Sequence, residues 1–144
     1  MRILIVEDDD MQSDWLIERL KREFRTEPDL IRTESEFYDC LDALSSSPPD
    51  IIIIDIMLPW TEVERDSRDA PPEIRGKGWF DAGLRCEKLL HEREETKSIP
   101  VILYSMLEPK NLPRDLPHNV VFVSKVYNID DLIEKIHSLA SEDA

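Results

Sequence analysis

Asp55 follows an unbroken run of isoleucines, Ile51-Ile52-Ile53-Ile54, and precedes Ile56-Met57-Leu58-Pro59. A carboxylate directly after four β-branched residues has been carried to the C-terminal edge of a buried strand, where open α/β sheets gather ligand-binding and catalytic groups. A second acidic cluster, Glu7-Asp8-Asp9-Asp10, follows Ile3-Leu4-Ile5-Val6 in the same way. Two later apolar runs, residues 101–104 and 120–123, lead into Ser105 and towards Lys125. Carboxylates crowded into one pocket raise one another's pKa unless a cation neutralises them. A hard, oxygen-rich site with few protein ligands and room for water suits Mg²⁺. The metal and the Lys125 ammonium would together offset charge on a phosphoryl group reaching Asp55. The Ser105 hydroxyl would hydrogen-bond one of its oxygens.

Such convergence requires elements that bring four strand ends side by side. Strand-like segments at residues 2–6, 30–32, 50–55, 101–104 and 120–123 alternate with helical periodicities at 11–24, 33–44, 79–91 and after Asn128. The first helix places Leu16, Leu20 and Phe24 at steps of four, with Ile17 beside them. The second opens on Thr33 with Glu36, the spacing of a capping box, and turns Phe37, Cys40 or Leu41, and Leu44 inward. The third turns in Trp79, Ala82 or Gly83, Cys86, and Leu89 or Leu90. The last, capped by Asn128, carries Ile129, Leu132, Ile133, Ile136 and Leu139 on one stripe. Five strands alternating with helices predict an α/β fold, a doubly wound five-stranded parallel sheet, because right-handed crossovers cover both faces. The order 2-1-3-4-5 sets strands one, three, four and five together.

Two segments break the rhythm. Residues 60–77 are polar, charged and carry Pro71-Pro72, whereas α/β connections usually run about 2–6 residues. This insertion adjoins Asp55 and is either a passive surface loop, with Trp60 and Trp79 anchoring it, or a lid over the pocket. Between strands four and five, Pro109, Pro113 and Pro117 recur where a helix is expected. An internal proline costs a helix about 3 kcal/mol, so at most one helical turn is expected there.

At 144 residues the chain is read as one domain, 1–144, with a core of its own. It is 41% hydrophobic and 35% charged, the composition of a soluble globular protein. The formal charge of −14 argues against nucleic acid and anionic membranes as partners. No apolar stretch approaches the roughly 20 residues of a membrane helix. The run Ile3-Leu4-Ile5-Val6 is too short for a signal peptide, which leads to the expectation of a cytoplasmic protein. Cys40 and Cys86 lack metal-pair spacing and read as reduced thiols. His91, His118 and His137 are scattered and read as surface residues.

The order of the strand-end groups resembles the receiver domain of two-component response regulators. Leu4-Ile5-Val6-Glu7-Asp8-Asp9 is similar to that family's first-strand acidic motif, and Asp55-Ile56-Met57-Leu58-Pro59 to its phosphoacceptor motif. Pro100-Val101-Ile102-Leu103-Tyr104-Ser105 and Phe122-Val123-Ser124-Lys125 resemble its fourth and fifth strands. The resemblance spans nearly the whole chain apart from the insertion and the proline-rich stretch. It implies a flavodoxin-like receiver fold and a stand-alone phosphoacceptor in a Mg²⁺-dependent phosphorelay. By the same likeness Asp55 is the nucleophile, Asp8 binds the metal directly and Glu7 does so through water. Asp55 and the backbone carbonyl of Met57 complete the metal's protein ligands. Lys125 binds a phosphoryl oxygen, and Ser105 and Phe122 form a switch pair. The implied partners are a histidine kinase or phosphotransfer protein and a downstream protein target. The implied domain is not an enzyme, beyond catalysing its own phosphorylation and dephosphorylation.

Three residues or segments depart from the family's pattern. Met106 is bulky where the family has a small residue. Val126 stands where it has a cis proline, a geometry that would cost a non-proline peptide about 2.5–4 kcal/mol. The prolines disfavour the fourth helix that usually forms the signalling surface. These departures motivate an alternative, a phosphorylation-independent interaction module on the same fold. A metal-dependent phosphohydrolase is a third reading; such enzymes commonly place a second acid two residues after the nucleophile, where this chain has Met57.

Overall fold

The computed structural model describes residues 1–62, 69–72, 74, 81–108, 110, 112, 115–126 and 128–142. Along the chain come β1 (Ile3–Val6), α1 (Asp10–Phe24), β2 (Asp29–Ile31), α2 (Glu34–Ser46) and β3 (Ile51–Ile54). They are followed by α3 (Ala82–His91), β4 (Val101–Ser105), β5 (Val120–Ser124) and α4 (Ile129–Glu142). The five strands form one parallel sheet in the order β2-β1-β3-β4-β5, as the alternation predicts.

The unbroken isoleucine runs follow from burial on both faces. Leu4, Val6, Ile52, Ile54, Val101 and Leu103 pack with Phe37, Leu41 and Leu44 of α2 and Ala82, Cys86 and Leu90 of α3. Ile3, Ile5, Ile51, Ile53, Ile102 and Tyr104 pack with Leu16 and Leu20 of α1 and the full α4 stripe from Ile129 to Leu139. Period-two alternation thus divides each central strand between two cores. Where the helical periodicity left two choices, Leu41 lies deeper than Cys40, and Leu90 deeper than Leu89. Both cysteines are free thiols, Cys86 fully buried and Cys40 partly so.

The ends of several elements shift by a residue. β2 is Asp29–Ile31 rather than 30–32, because its ladder to β1 pairs Leu4 with Asp29 and Val6 with Ile31. α1 begins at Asp10, with Asp9 as the cap: its carboxylate accepts the Gln12 amide at 2.9 Å. In α2 the Thr33 hydroxyl accepts from the Glu36 amide at 3.2 Å, while the Glu36 carboxylate reaches the Arg32 amide, one residue short of a reciprocal box. β4 and β5 each run one residue further, to Ser105 and Ser124. The Asn128 side chain accepts the Asp130 amide at 3.0 Å and caps α4 as expected.

Among the described residues no α-helix lies between β4 and β5. Pro109 and Pro113 fall outside the described residues, as do Trp79 and much of the 60–77 insertion. At the insertion's start, the carbonyls of Pro59 and Trp60 accept the amides of Glu34 and Ser35, each at 2.9 Å. They thereby satisfy first-turn N–H groups of α2. The Trp60 ring meets Tyr38 edge-on at 5.2 Å. Behind this contact, Arg85 forms a two-pronged pair with the buried Glu34 at 2.8 and 2.7 Å, and the Tyr38 hydroxyl donates to Glu34 at 2.9 Å. This ties α3 to α2 beneath the same edge.

Candidate functional site

Parallel pairing fixes which groups meet at the C-terminal edge. The Asp55 amide donates to the Val6 carbonyl and the Glu7 amide to the Ile31 carbonyl, so the ladders extend one residue past the strands and set the acids side by side. On the other flank, the Lys125 amide donates to the Ser105 carbonyl at 2.9 Å. Oxygens of Glu7, Asp8 and Asp55 all lie within 4.8 Å of one another.

Lys125 closes the cluster. Its ammonium donates to Glu7 Oε1 at 2.8 Å, Asp55 Oδ2 at 3.0 Å and Gln12 Oε1 at 2.7 Å. The Tyr104 ring lies 5.5 Å from Nζ. The other Asp55 oxygen accepts the Met57 amide at 3.2 Å, which fixes the carboxylate against the loop that follows it. Asp8, Asp55, Met57, Ser105 and Lys125 line one cavity of about 240 Å³, together with Asp9, Gln12 and Met106. Glu7, 3% exposed, lies at the floor of an adjoining apolar cavity lined by Trp15, Leu16, Tyr104 and Met106. Ser105 is fully buried, and its hydroxyl accepts the Leu107 amide at 3.3 Å.

The charges are poised for a cation. Burial and the neighbouring Asp55 carboxylate push the Glu7 carboxyl up to about 8, against the lowering pull of Lys125. Burial also raises Asp8. Burial alone would depress the Lys125 ammonium, but Asp55 and Glu7 outweigh it and hold the group above its usual range. Glu7 Oε2 is buried without a hydrogen-bond partner. Opposite ligands of an octahedral Mg²⁺ stand about 4 Å apart, so these three acids need only small movements to surround one. The orphaned oxygen and the elevated carboxyls both fit such an ion.

The predicted residues are thus brought together, with one displaced. Phe122 pairs in register with Leu103 and is half-buried against the α2–α3 core, outside the Asp55 cavity. Ser105 continues the Val101–Leu103 face of β4, so the two side chains share a face of the sheet. Two contributors escape the sequence reading. Gln12 lies on the first turn of α1, three residues after the cap Asp9, and nothing in its sequence context signals a role at the site. Gly83 packs against the loop that follows β3, its amide donating to the Ile56 carbonyl at 2.8 Å. A Cβ there would come within 2.6 Å of Ile56 Cα and 2.9 Å of the Asp55 carbonyl carbon. Only glycine permits that approach.

No family model matches the sequence, and no curated protein matches it. Solved structures do match. A sensor protein from Polaromonas sp. JS666 superposes with a TM-score of 0.70 at 18% identity, covering 99% of this chain and 98% of that one. A response regulator from Desulfuromonas acetoxidans gives 0.65 at 18% identity, covering 97% and 96%. The signal receiver domain of a signal transduction histidine kinase from Syntrophus aciditrophicus gives 0.64 at 24% identity, covering 98% and 90%. The chain has the flavodoxin-like fold of response-regulator receiver domains. Among the described residues no helix is long and apolar enough to cross a membrane.

Proposed function

We propose that this domain is a receiver that accepts a phosphoryl group on Asp55 from a histidine kinase or phosphotransfer protein. The observation that carries the reading is the Asp8–Asp55–Ser105–Lys125 constellation around one cavity, with Lys125 3.0 Å from Asp55. Asp55 attacks phosphorus, its oxygen forms the new P–O bond, and the donor's P–N bond breaks as the imidazole leaves. Asp8, Asp55, the Met57 carbonyl and, through water, Glu7 would hold Mg²⁺. The ion, when bound, supplies positive charge against the phosphoryl oxygens. Lys125 supplies a second positive charge from the opposite side and stays hydrogen-bonded throughout. The Ser105 hydroxyl, which here accepts the Leu107 amide, turns to donate its proton to a phosphoryl oxygen. Phe122, on the same face of the sheet, turns inward as that hydroxyl moves, which changes the surface offered to a downstream protein. The domain catalyses its own phosphorylation and slow dephosphorylation and works in the cytoplasm. Met11, Trp15, Met106 and Val126, all exposed, frame the edge that a protein donor would approach.

Incubation with Mg²⁺ and a small phosphodonor should add one phosphoryl mass, and Asp55→Ala should abolish the gain. Equal uptake by the variant would refute the assignment. The second reading, a phosphorylation-independent interaction module, draws on Met106 at the cavity rim, 59% exposed, and on the missing helix between β4 and β5 among the described residues. An amide spectrum indifferent to Mg²⁺ plus beryllofluoride would favour it.

A further inference from the structure

We propose that Gln12 is a positioning residue for Lys125, holding the ammonium in place while the groups beside it change partners. The inference rests on the receiver reading above and deepens it. An ammonium has three N–H donors. In this structure each finds an acceptor, on Glu7, Asp55 and Gln12. Two of those acceptors belong to the reacting cluster. Asp55 becomes the acyl phosphate, and Glu7 turns towards the cation. Gln12 carries no charge in any state of the site and is consumed by neither event, so it keeps Nζ located without cancelling the charge that Lys125 must present.

Two further observations show why such an anchor matters. Val126, which follows Lys125, is 63% exposed, and its amide donates to the Ser124 hydroxyl at 3.1 Å. Beside the lysine lies the apolar cavity of about 200 Å³ bounded by Gln12, Trp15, Tyr104 and Met106. The Tyr104 ring at 5.5 Å offers the ammonium an alternative rest through its π face. With Gln12 removed, Nζ has space to swing there, away from Asp55.

Gln12 is exposed on the first turn of α1, so replacing it leaves the core intact. The test compares wild type with Gln12→Leu, Gln12→Ala and Gln12→Glu by ¹⁵N-resolved lysine ammonium spectra and by uptake from a small phosphodonor with Mg²⁺. Wild type should show a slowly exchanging Lys125 ammonium signal. Gln12→Leu and Gln12→Ala should lose it, and Gln12→Glu, which keeps an acceptor, should retain it. Phosphoryl uptake should slow in the leucine and alanine variants, by up to about a hundredfold if the ammonium is misplaced by about 1 Å. A Lys125 signal unchanged in Gln12→Leu and Gln12→Ala, or wild-type uptake in both, would overturn the proposal. Failure of the wild type itself to take up phosphate would instead defeat the receiver reading, while the ammonium spectra still decide whether Gln12 holds Lys125.

Discussion

Metal binding should release a proton from Glu7, and the affinity for Mg²⁺ should therefore depend steeply on pH. Glu7 is buried and lies beside the Asp55 carboxylate, which together push the carboxyl up to about 8. At pH 7 roughly nine molecules in ten then carry that proton in the absence of metal. A divalent ion favours the ionised carboxylate, whether it touches Glu7 or reaches it through water. The ionised fraction rises about 50-fold between pH 6 and pH 8, and apparent affinity should follow it before flattening above pH 8. The assay is calorimetric titration with Mg²⁺ at stepped pH, in two buffers of different ionisation enthalpy, which counts protons released directly. About one proton should leave at pH 7. In Glu7→Gln the slope should largely disappear, leaving the smaller contribution of Asp8, also raised by burial. Affinity constant from pH 6 to pH 8, or a slope undiminished in Glu7→Gln, would refute the reasoning. The same linkage has a sign for the metal-free fold: the raised carboxyl stabilises it at low pH, and that contribution is lost as pH rises through about 8.

Other predictions concern the supports of the site. Gly83→Ala places a Cβ against the Asp55 carbonyl oxygen and 2.6 Å from Ile56 Cα. Alanine's helix propensity would favour the change by about 1 kcal/mol, but backbone cannot yield as a side chain does. A net loss of about 1–3 kcal/mol in urea unfolding, with slower phosphorylation, is expected. Arg85→Ala leaves Glu34, 1% exposed, without its two-pronged partner; unfolding free energy should fall by about 3–5 kcal/mol, and a loss below 1 kcal/mol would show the pair to be dispensable. Met106→Ala opens the rim of the Asp55 cavity and should speed uptake from a small phosphodonor several-fold, measured by time-resolved intact mass.

How far the sequence reaches is set by how many residues state the same thing. The sheet was legible because Ile3–Val6 and Ile51–Ile54 allow one environment, a strand buried on both faces. The acids and Lys125 were legible because they end such strands. β2 was misplaced by one residue: Asp29–Ile31 is too short for its pattern to set a register, which its ladder with β1 decides. Gln12 and Gly83 were not legible, since a lone polar residue on a helix and a lone glycine acquire their roles only from what tertiary packing sets opposite them. Met57 fell within reach of the site because its amide turns back on Asp55, a contact local in sequence. Phe122 was legible as a residue of the fifth strand, while its place outside the Asp55 cavity follows from its pairing with Leu103.

The central claim is that Asp55 carries the phosphoryl group. Peptide mapping after incubation with Mg²⁺ and a small phosphodonor, with the acyl phosphate trapped by reduction, tests it directly. A single labelled site at Asp55, dependent on Mg²⁺, is expected. Label at another residue, or none on a folded chain, would contradict it.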